Sequence, residues 1–406
     1  MIIKDIKSYT IKSRVKLEEN PWRERLIRPT DIYPKFKQLG PNMWPVKRVG
    51  QNEYETSCTF VEVVTDEGIS GIAGPIGAPF AKIQVFVIEK ELKPILIGED
   101  ALAVEKIWDI MYRHMVHGRK GEVMMAISAL DCAIWDLIGK YYKKPIWRLL
   151  GGKTREKVRA YASTLACSLE QKEVSKTCCK LLDDGYTAMK WFVRYGPEDG
   201  LKGEEKNIEL VKIIRDVVPY NIDVMIDCWM SWNESYTIKM AKRLERYEIN
   251  WIEEPVMPDN VDGYAKIRKK SPIKIAGGEH EYTRWGFKLL LEKEAIDIAQ
   301  PDIMWAGGIT ESLRIAGLTS THGIPLIPHT GSIAATLNLL FSQPEPNCPL
   351  AEFLINWNII AQSSFKEKIY PEKGYFKPTE KYGLGFEIDE SKVYQRIEHT
   401  NATNLN

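Results

Sequence analysis

Between residues 223 and 279 the chain reads DVMIDC (223–228), INWIEE (249–254) and KIAGGE (274–279), three short apolar runs that each end in or beside a carboxylate. Helical patterns separate them. Tyr236, Met240 and Leu244 recur every fourth residue before Tyr247, and Phe287, Leu290 and Leu291 mark the next helix but one. This alternation is the signature of repeated βα units on a parallel sheet. Working outward, the same grammar places strands at 157–163, 188–193, 223–228, 249–254, 274–279, 297–301, 325–329 and 350–354. Eight such strands predict an α/β barrel, a fold that carries its chemistry at the carboxyl ends of the strands.

The flanks follow a different pattern. Residues 55–64 and 69–73 surround Asp66-Glu67-Gly68, a hairpin signal, and helical patterns cover roughly 80–95, 103–115 and 121–141. Leu149-Leu150-Gly151-Gly152 marks a turn, so the division runs 1–150 for an α+β capping domain and 151–355 for the barrel. Residues 356–406 are loop-rich and are expected to return to the first domain.

The 406 residues carry 56 Lys and Arg against 55 Asp and Glu, which leaves no basic excess for nucleic acid or an anionic membrane. The amino terminus lacks the unbroken apolar stretch of a secretory signal. Ile315 to Pro344, free of charge, is broken by glycines and prolines and reads as helix, strand, helix. Seven cysteines without a CxxC pair suit reduced thiols and a cytoplasmic location.

The strand ends hold Lys190, Asp227, Glu253, Glu279, Asp302, His329 and Glu352. From Asp227 onward the steps are 26, 26, 23, 27 and 23 residues, one βα unit each. One acidic residue at a strand end is commonly a helix cap. Three in register in the apolar mouth of a barrel call for a cation, and oxygen ligands without Cys suit Mg²⁺. Asp302 can accept an N–H from His329 and orient the other ring nitrogen toward substrate. A cation and a His base on facing sides of a pocket suit removal of a proton α to a carboxylate, an arrangement already described for enolase-superfamily sites.

At these residues the sequence resembles the enolase superfamily, mandelate racemase subgroup, and within it the L-rhamnonate dehydratases. The resemblance is carried by Asp227-Cys228-Trp229-Met230-Ser231, Trp251-Ile252-Glu253-Glu254, Gly278-Glu279-His280-Glu281, Gln300-Pro301-Asp302 and Ala351-Glu352-Phe353-Leu354. It implies a modified TIM barrel, (β/α)₇β, beneath the cap, with Mg²⁺ held by Asp227, Glu253 and Glu279. It implies that His329 removes the C2 proton of a sugar acid, that the 3-hydroxyl leaves as water, and that Glu352 contacts the substrate or intermediate. A homo-oligomer is usual for the family.

Where many subgroup members have Lys-x-Lys on the second barrel strand, this chain has Lys190-Trp191-Phe192, so the second base of a racemase is missing. Lys190 either touches the metal-bound carboxylate or packs its stem at the rim. Substrate recognition is expected from the cap, where Pro21 to Gly50 carries Trp22, Arg23, Arg25, Arg28, Trp44 and Arg48 with little regular pattern. Arg48 aligns with a substrate-contacting Arg of the rhamnonate group, Arg25 stands where that group has a His, and His280 completes the candidate substrate contacts. Thr330-Gly331-Ser332 also departs from the group's Gly-Ser-Ser, which bears on the choice of sugar acid. A racemase or epimerase, a dehydratase of another aldonate, and a non-catalytic metal-binding protein are the competing readings.

Overall fold

The computed structural model describes residues 1–18, 20–38, 46–76 and 81–399. Trp44 lies outside them.

The barrel strands are β5 (Val158–Ser163), β6 (Ala188–Phe192), β7 (Asp223–Asp227), β8 (Trp251–Glu253), β9 (Lys274–Gly277), β10 (Ile298–Ala299) and β11 (Leu350–Leu354), hydrogen-bonded in the order β10-β9-β8-β7-β6-β5-β11. The expected strand at 325–329 is reduced to two parallel bridges, Ala299 to Leu326 and Asp302 to His329. Pro325 and Pro328 have no N–H to donate, so a continuous ladder cannot form there.

One residue from each of the eight segments fills the barrel centre: Tyr161, Ala188, Met225, Trp251, Ala276, Ile298, Ile327 and Leu350, all buried. Large side chains dominate this ring, with Ala188 and Ala276 making room beside Tyr161 and Trp251. Because strand side chains repeat with period two, the residue two places on points the same way, one layer nearer the mouth. Those residues include Lys190, Asp227, Glu253, Gln300, His329 and Glu352. An apolar plug thus forms the floor of a polar layer.

The cap is an antiparallel sheet of β1 (Ile3–Lys16), β2 (Val46–Gly50), β3 (Glu53–Thr65) and β4 (Ser70–Ile76), with β13 (Val393–Glu398) from the tail on the far side of β1. A short strand, β12 (Tyr375–Phe376), pairs with β5 on the way there. Residues 46–50, read from sequence as irregular loop, are therefore an edge strand paired with β3. The helical run Ala81–Val87, Ile88–Leu92 and Lys93–Leu96 and two longer helices, α1 (Val104–His114) and α2 (Glu122–Tyr141), pack with this sheet in the cap. Helix α2 lies so close to β4 that a Cβ on Gly71 would sit 2.0 Å from the Ala133 carbonyl oxygen.

Cap and barrel join at helix α3 (Gly308–Thr321), which follows the Asp302 segment. Gly307 N–H donates to Ser128 Oγ at 2.8 Å, Thr310 N–H to Asp131 Oδ2 at 3.0 Å, and Trp108 Nε1 to the Gly307 carbonyl at 2.8 Å. The loop after β1 is pinned over the mouth by Arg23 and Glu24 N–H on the Ala166 carbonyl and Ile27 N–H on that of Val193.

Candidate active site

In the polar layer Lys190 is the centre of charge. Its Nζ contacts Glu253, lies 2.8 Å from Glu352 Oε1 and 3.6 Å from Asp227 Oδ2. Burial works against its charge, yet Glu253 and Glu352 hold its pKa well above the ordinary lysine value. The other Glu253 oxygen accepts from Trp251 Nε1 at 3.0 Å and Gln300 Nε2 at 2.8 Å. Of the two readings of Lys190, the structure favours contact with the carboxylates over a stem at the rim.

The dyad residues meet as the spacing suggested. His329 Nδ1 is 2.7 Å from Asp302 Oδ2, and that oxygen also accepts the Gly331 N–H at 2.7 Å, while Oδ1 accepts the Met304 N–H at 2.7 Å. A Cβ on Gly331 would approach Asp302 Oδ2 to 2.7 Å, so the close hydrogen bond depends on glycine. His329 Nε2 is left 3.3 Å from Glu279 Oε1, with Trp305 stacked at a tilt 5.1 Å away. Burial lowers the imidazole's affinity for a proton, but Glu279, Glu352 and Asp302 outweigh it and raise the pKa to about 10.

His280 pairs through Nδ1 with Glu254 Oε2 at 2.8 Å, and Glu254 Oε1 accepts the His280 N–H at 3.2 Å. Against the cost of burial, Glu254 and Glu279 raise this imidazole's pKa to about 9. Asp227 is pushed well above the carboxylate range by burial and then by Glu253. Glu279 is pushed to about 7, by burial first. Buried acids crowded in this way hold more negative charge than Lys190 balances, the situation a cation relieves.

Two groupings could hold one. Asp227 and Glu253 stand opposite each other in the β7–β8 register, and Glu279 follows Gly278, whose φ of +115° turns the chain past the end of β9. Alternatively, ligand atoms of Glu254, Glu279 and His280 lie within 4.8 Å of one another. Mg²⁺ prefers oxygen ligands to an imidazole nitrogen, so the all-carboxylate set is the better match.

A cleft of about 590 Å³ separates this layer from the cap. Lys190, Asp227, Glu279, His280 and His329 line it from the barrel, while Arg25, Leu26, Arg28, Gln84, Glu122 and Met125 line it from the cap. Arg25 is buried there with both Asp31 oxygens 2.8 Å from its Nη2. Arg48 is not brought to the cleft. It lies exposed on β2 opposite Tyr54, with Nε 3.3 Å from the Gly50 carbonyl, because the segment expected to close over the ligand is committed to the sheet.

Sequence reasoning did not single out Glu254, Gln300, Trp305, Gln84 or Glu122 as site residues. Gln300 could have been found by the two-residue step from the barrel ring. The two cap residues have no such signal, since nothing local to them says which helix end meets the barrel.

Taken together, fold and cleft define a capped-barrel enzyme with a histidine–carboxylate dyad at the strand ends. The family model for the enolase C-terminal domain-like fold matches residues 173–392, and that for the mandelate racemase / muconate lactonizing enzyme N-terminal domain matches residues 36–151. The chain belongs to the mandelate racemase / muconate lactonizing enzyme family of the enolase superfamily. It is 36% identical over 302 residues to an L-rhamnonate dehydratase of Saccharopolyspora erythraea, covering 73% of this chain and 72% of that protein. The solved L-rhamnonate dehydratase of Gibberella zeae superposes with a TM-score of 0.84 at 31% identity, covering 100% and 98% of the two chains, and that enzyme has also been solved complexed with Mg. The 3,6-anhydro-D-galactonate cycloisomerase of Zobellia galactanivorans superposes with a TM-score of 0.77 at 29% identity, covering 97% and 100%.

Proposed function

We propose that the protein is a Mg²⁺-dependent sugar-acid dehydratase acting on an aldonate of the L-rhamnonate type. The observation that carries this reading is the His329–Asp302 dyad, which opens on the same cleft as Lys190 and the buried carboxylates Asp227 and Glu279. Asp227, Glu253 and Glu279 are the ligands in this reading, and Mg²⁺, when bound there, supplies positive charge against the substrate's carboxylate as C2 loses its proton.

The residues of the chain divide the remaining work. Asp302 fixes the proton on His329 Nδ1, and with Glu279 committed to the cation the charge that holds a second proton on this imidazole would be relieved, so that Nε2 would serve as the base for the C2 proton. The C3–O bond breaks as the C2=C3 bond forms, and the 3-hydroxyl departs as water with a proton returned by His329. The resulting enol becomes a 2-keto-3-deoxy acid. Lys190 and Glu352, in contact with each other beneath the cleft, hold the electrostatic balance on the side of the reacting carboxylate. Arg25, Arg28 and His280 line the space for the rest of the chain.

Phe192, where a second base would stand, is buried in the barrel wall, which favours dehydration over racemisation. The test is a panel of aldonates incubated with the protein and Mg²⁺ in D₂O. A 2-keto-3-deoxy product that disappears on chelation is the expected result. Deuterium entering C2 of both epimers without loss of water would instead establish a racemase, and no reaction with any aldonate would refute the assignment. A homo-oligomer in the cytoplasm belongs to the same proposal, and sedimentation of the purified protein checks the oligomeric part.

A further inference from the structure

On the barrel side of the cleft every cation or imidazole has an acid against it: Glu253 and Glu352 for Lys190, Glu254 for His280, Asp302 for His329. The cap side holds a carboxylate of the opposite character. Glu122, the first residue of α2, lines the same cleft, and no Lys, Arg or His forms an ion pair with it among the described residues. Its Oε2 accepts the Gln84 Nε2 at 2.8 Å, and that nitrogen also lies 3.2 Å from Met125 Sδ. Gln84 is buried, so Glu122 is held in place while its Oε1 has no protein donor among the described residues.

The surroundings make that oxygen an acceptor in want of a donor. Burial raises the pKa of Glu122 and the Gln84 bond opposes the rise. Its place at the start of a twenty-residue helix favours the anion. Glu24, the other acid on the cap side, is already occupied by Arg194 at 3.5 Å.

We infer that Glu122 is a specificity-determining residue: its carboxylate accepts a hydrogen bond from the last hydroxyl of the substrate, remote from the reacting carboxylate (the C5 hydroxyl in an L-rhamnonate-type acid, whose C6 is a methyl), and it rejects acids bearing a second carboxylate at that end. This rests on the sugar-acid reading of the cleft. A hydroxyl donating to an anion makes a charge-assisted bond. A terminal carboxylate would bring two anions together with no cation between them, and a site built to accept a hydroxyl proton penalises a ligand without one.

The experiment compares wild type, Glu122→Gln and Glu122→Asp, all loaded with Mg²⁺ at pH 8. Each is titrated calorimetrically with a six-carbon aldonate and with the aldarate of the same configuration, and turnover is followed in parallel. Wild type should prefer the aldonate by about tenfold or more, from the hydrogen bond gained and the repulsion avoided. Glu122→Gln keeps the shape without the charge and should bring the two affinities within about threefold of each other. Glu122→Asp keeps the charge but withdraws it, so it should bind the aldonate more weakly while still rejecting the aldarate.

An unchanged affinity ratio in Glu122→Gln overturns the inference, as does a wild type that binds both acids equally or neither. If Glu122→Gln does not fold, the Glu122→Asp pattern decides alone. A wild type that discriminates in binding but dehydrates nothing would sink the proposed reaction and leave the role of Glu122 standing.

Discussion

Asp302 Oδ2 receives two donors at the same distance, His329 Nδ1 and the Gly331 N–H, each at 2.7 Å. The carboxylate is therefore locked in the plane that holds the imidazole, and the backbone rather than a second side chain does the locking. Replacing Asp302 by Asn puts a donor where one of these acceptors was and favours the wrong tautomer of His329. Turnover should fall by roughly 10³ to 10⁴-fold, as for comparable dyads. His329→Asn should abolish both product formation and deuterium exchange at C2, with circular dichroism unchanged.

The two candidate cation groupings share Glu279; one adds Asp227 and Glu253, the other Glu254 and His280. Chelation should abolish activity and Mg²⁺ should restore it. In calorimetric titration Glu253→Gln should weaken Mg²⁺ binding by at least about tenfold, the effect of losing one charged ligand. Glu254→Gln should leave that affinity within a few fold and instead lower the pKa of His280, which NMR can follow. The reverse order would move the ion to Glu254 and His280.

Lys190 is the buried cation shared by Glu253, Glu352 and Asp227. Lys190→Met leaves those acids without it. In metal-free protein the loss should be about 3–5 kcal/mol, the cost of breaking a buried pair from one side. Urea denaturation measures it, and added Mg²⁺ should recover part of the difference. Equal stability of wild type and variant without metal would show that Lys190 does not balance the cluster.

Asp131 supplies a pH signature away from the acids proposed to hold the cation. Burial raises its pKa to about 7, against the opposing hydrogen bonds from Thr310. An unfolded-state aspartate titrates near 4, so between about pH 4 and 7 the folded protein binds the extra proton and stability falls as pH rises. Above pH 7 the full penalty is present. Asp131→Asn has no such proton, so its thermal midpoint relative to wild type should climb from pH 5 to pH 8. A difference independent of pH would contradict the assignment.

The barrel was legible because its rule is local. Apolar runs of strand length, a charged residue at each end and one helix between successive runs repeat with nearly constant spacing, so Asp227, Glu253, Asp302, His329 and Glu352 could be placed at the mouth from numbering alone. The hairpin at Asp66 and the long helix ending at Tyr141 were readable for the same reason. The expected strand at 325–329 was only partly realised, since its prolines withhold the N–H groups a ladder needs.

Other features depend on which surfaces meet. Arg48 went to a sheet edge and Arg25 into a buried pair with Asp31, because the strand register of β2 and the path of the loop over Ala166 and Val193 are settled by long-range hydrogen bonds. Glu122 enters the cleft with α2, which docks on α3 through Ser128 and Asp131, and Gln84, on the helix Ala81–Val87, reaches it by the hydrogen bond to Glu122. Period-two and period-3.6 patterning specify elements and the direction of their side chains. They carry no information about the docking of one layer on another, which follows from complementary surfaces far apart in the chain. The amino-acid order alone therefore settled the barrel and which residues stand at its strand ends, whereas the wall of the cleft that faces them came into being only when the cap closed over it.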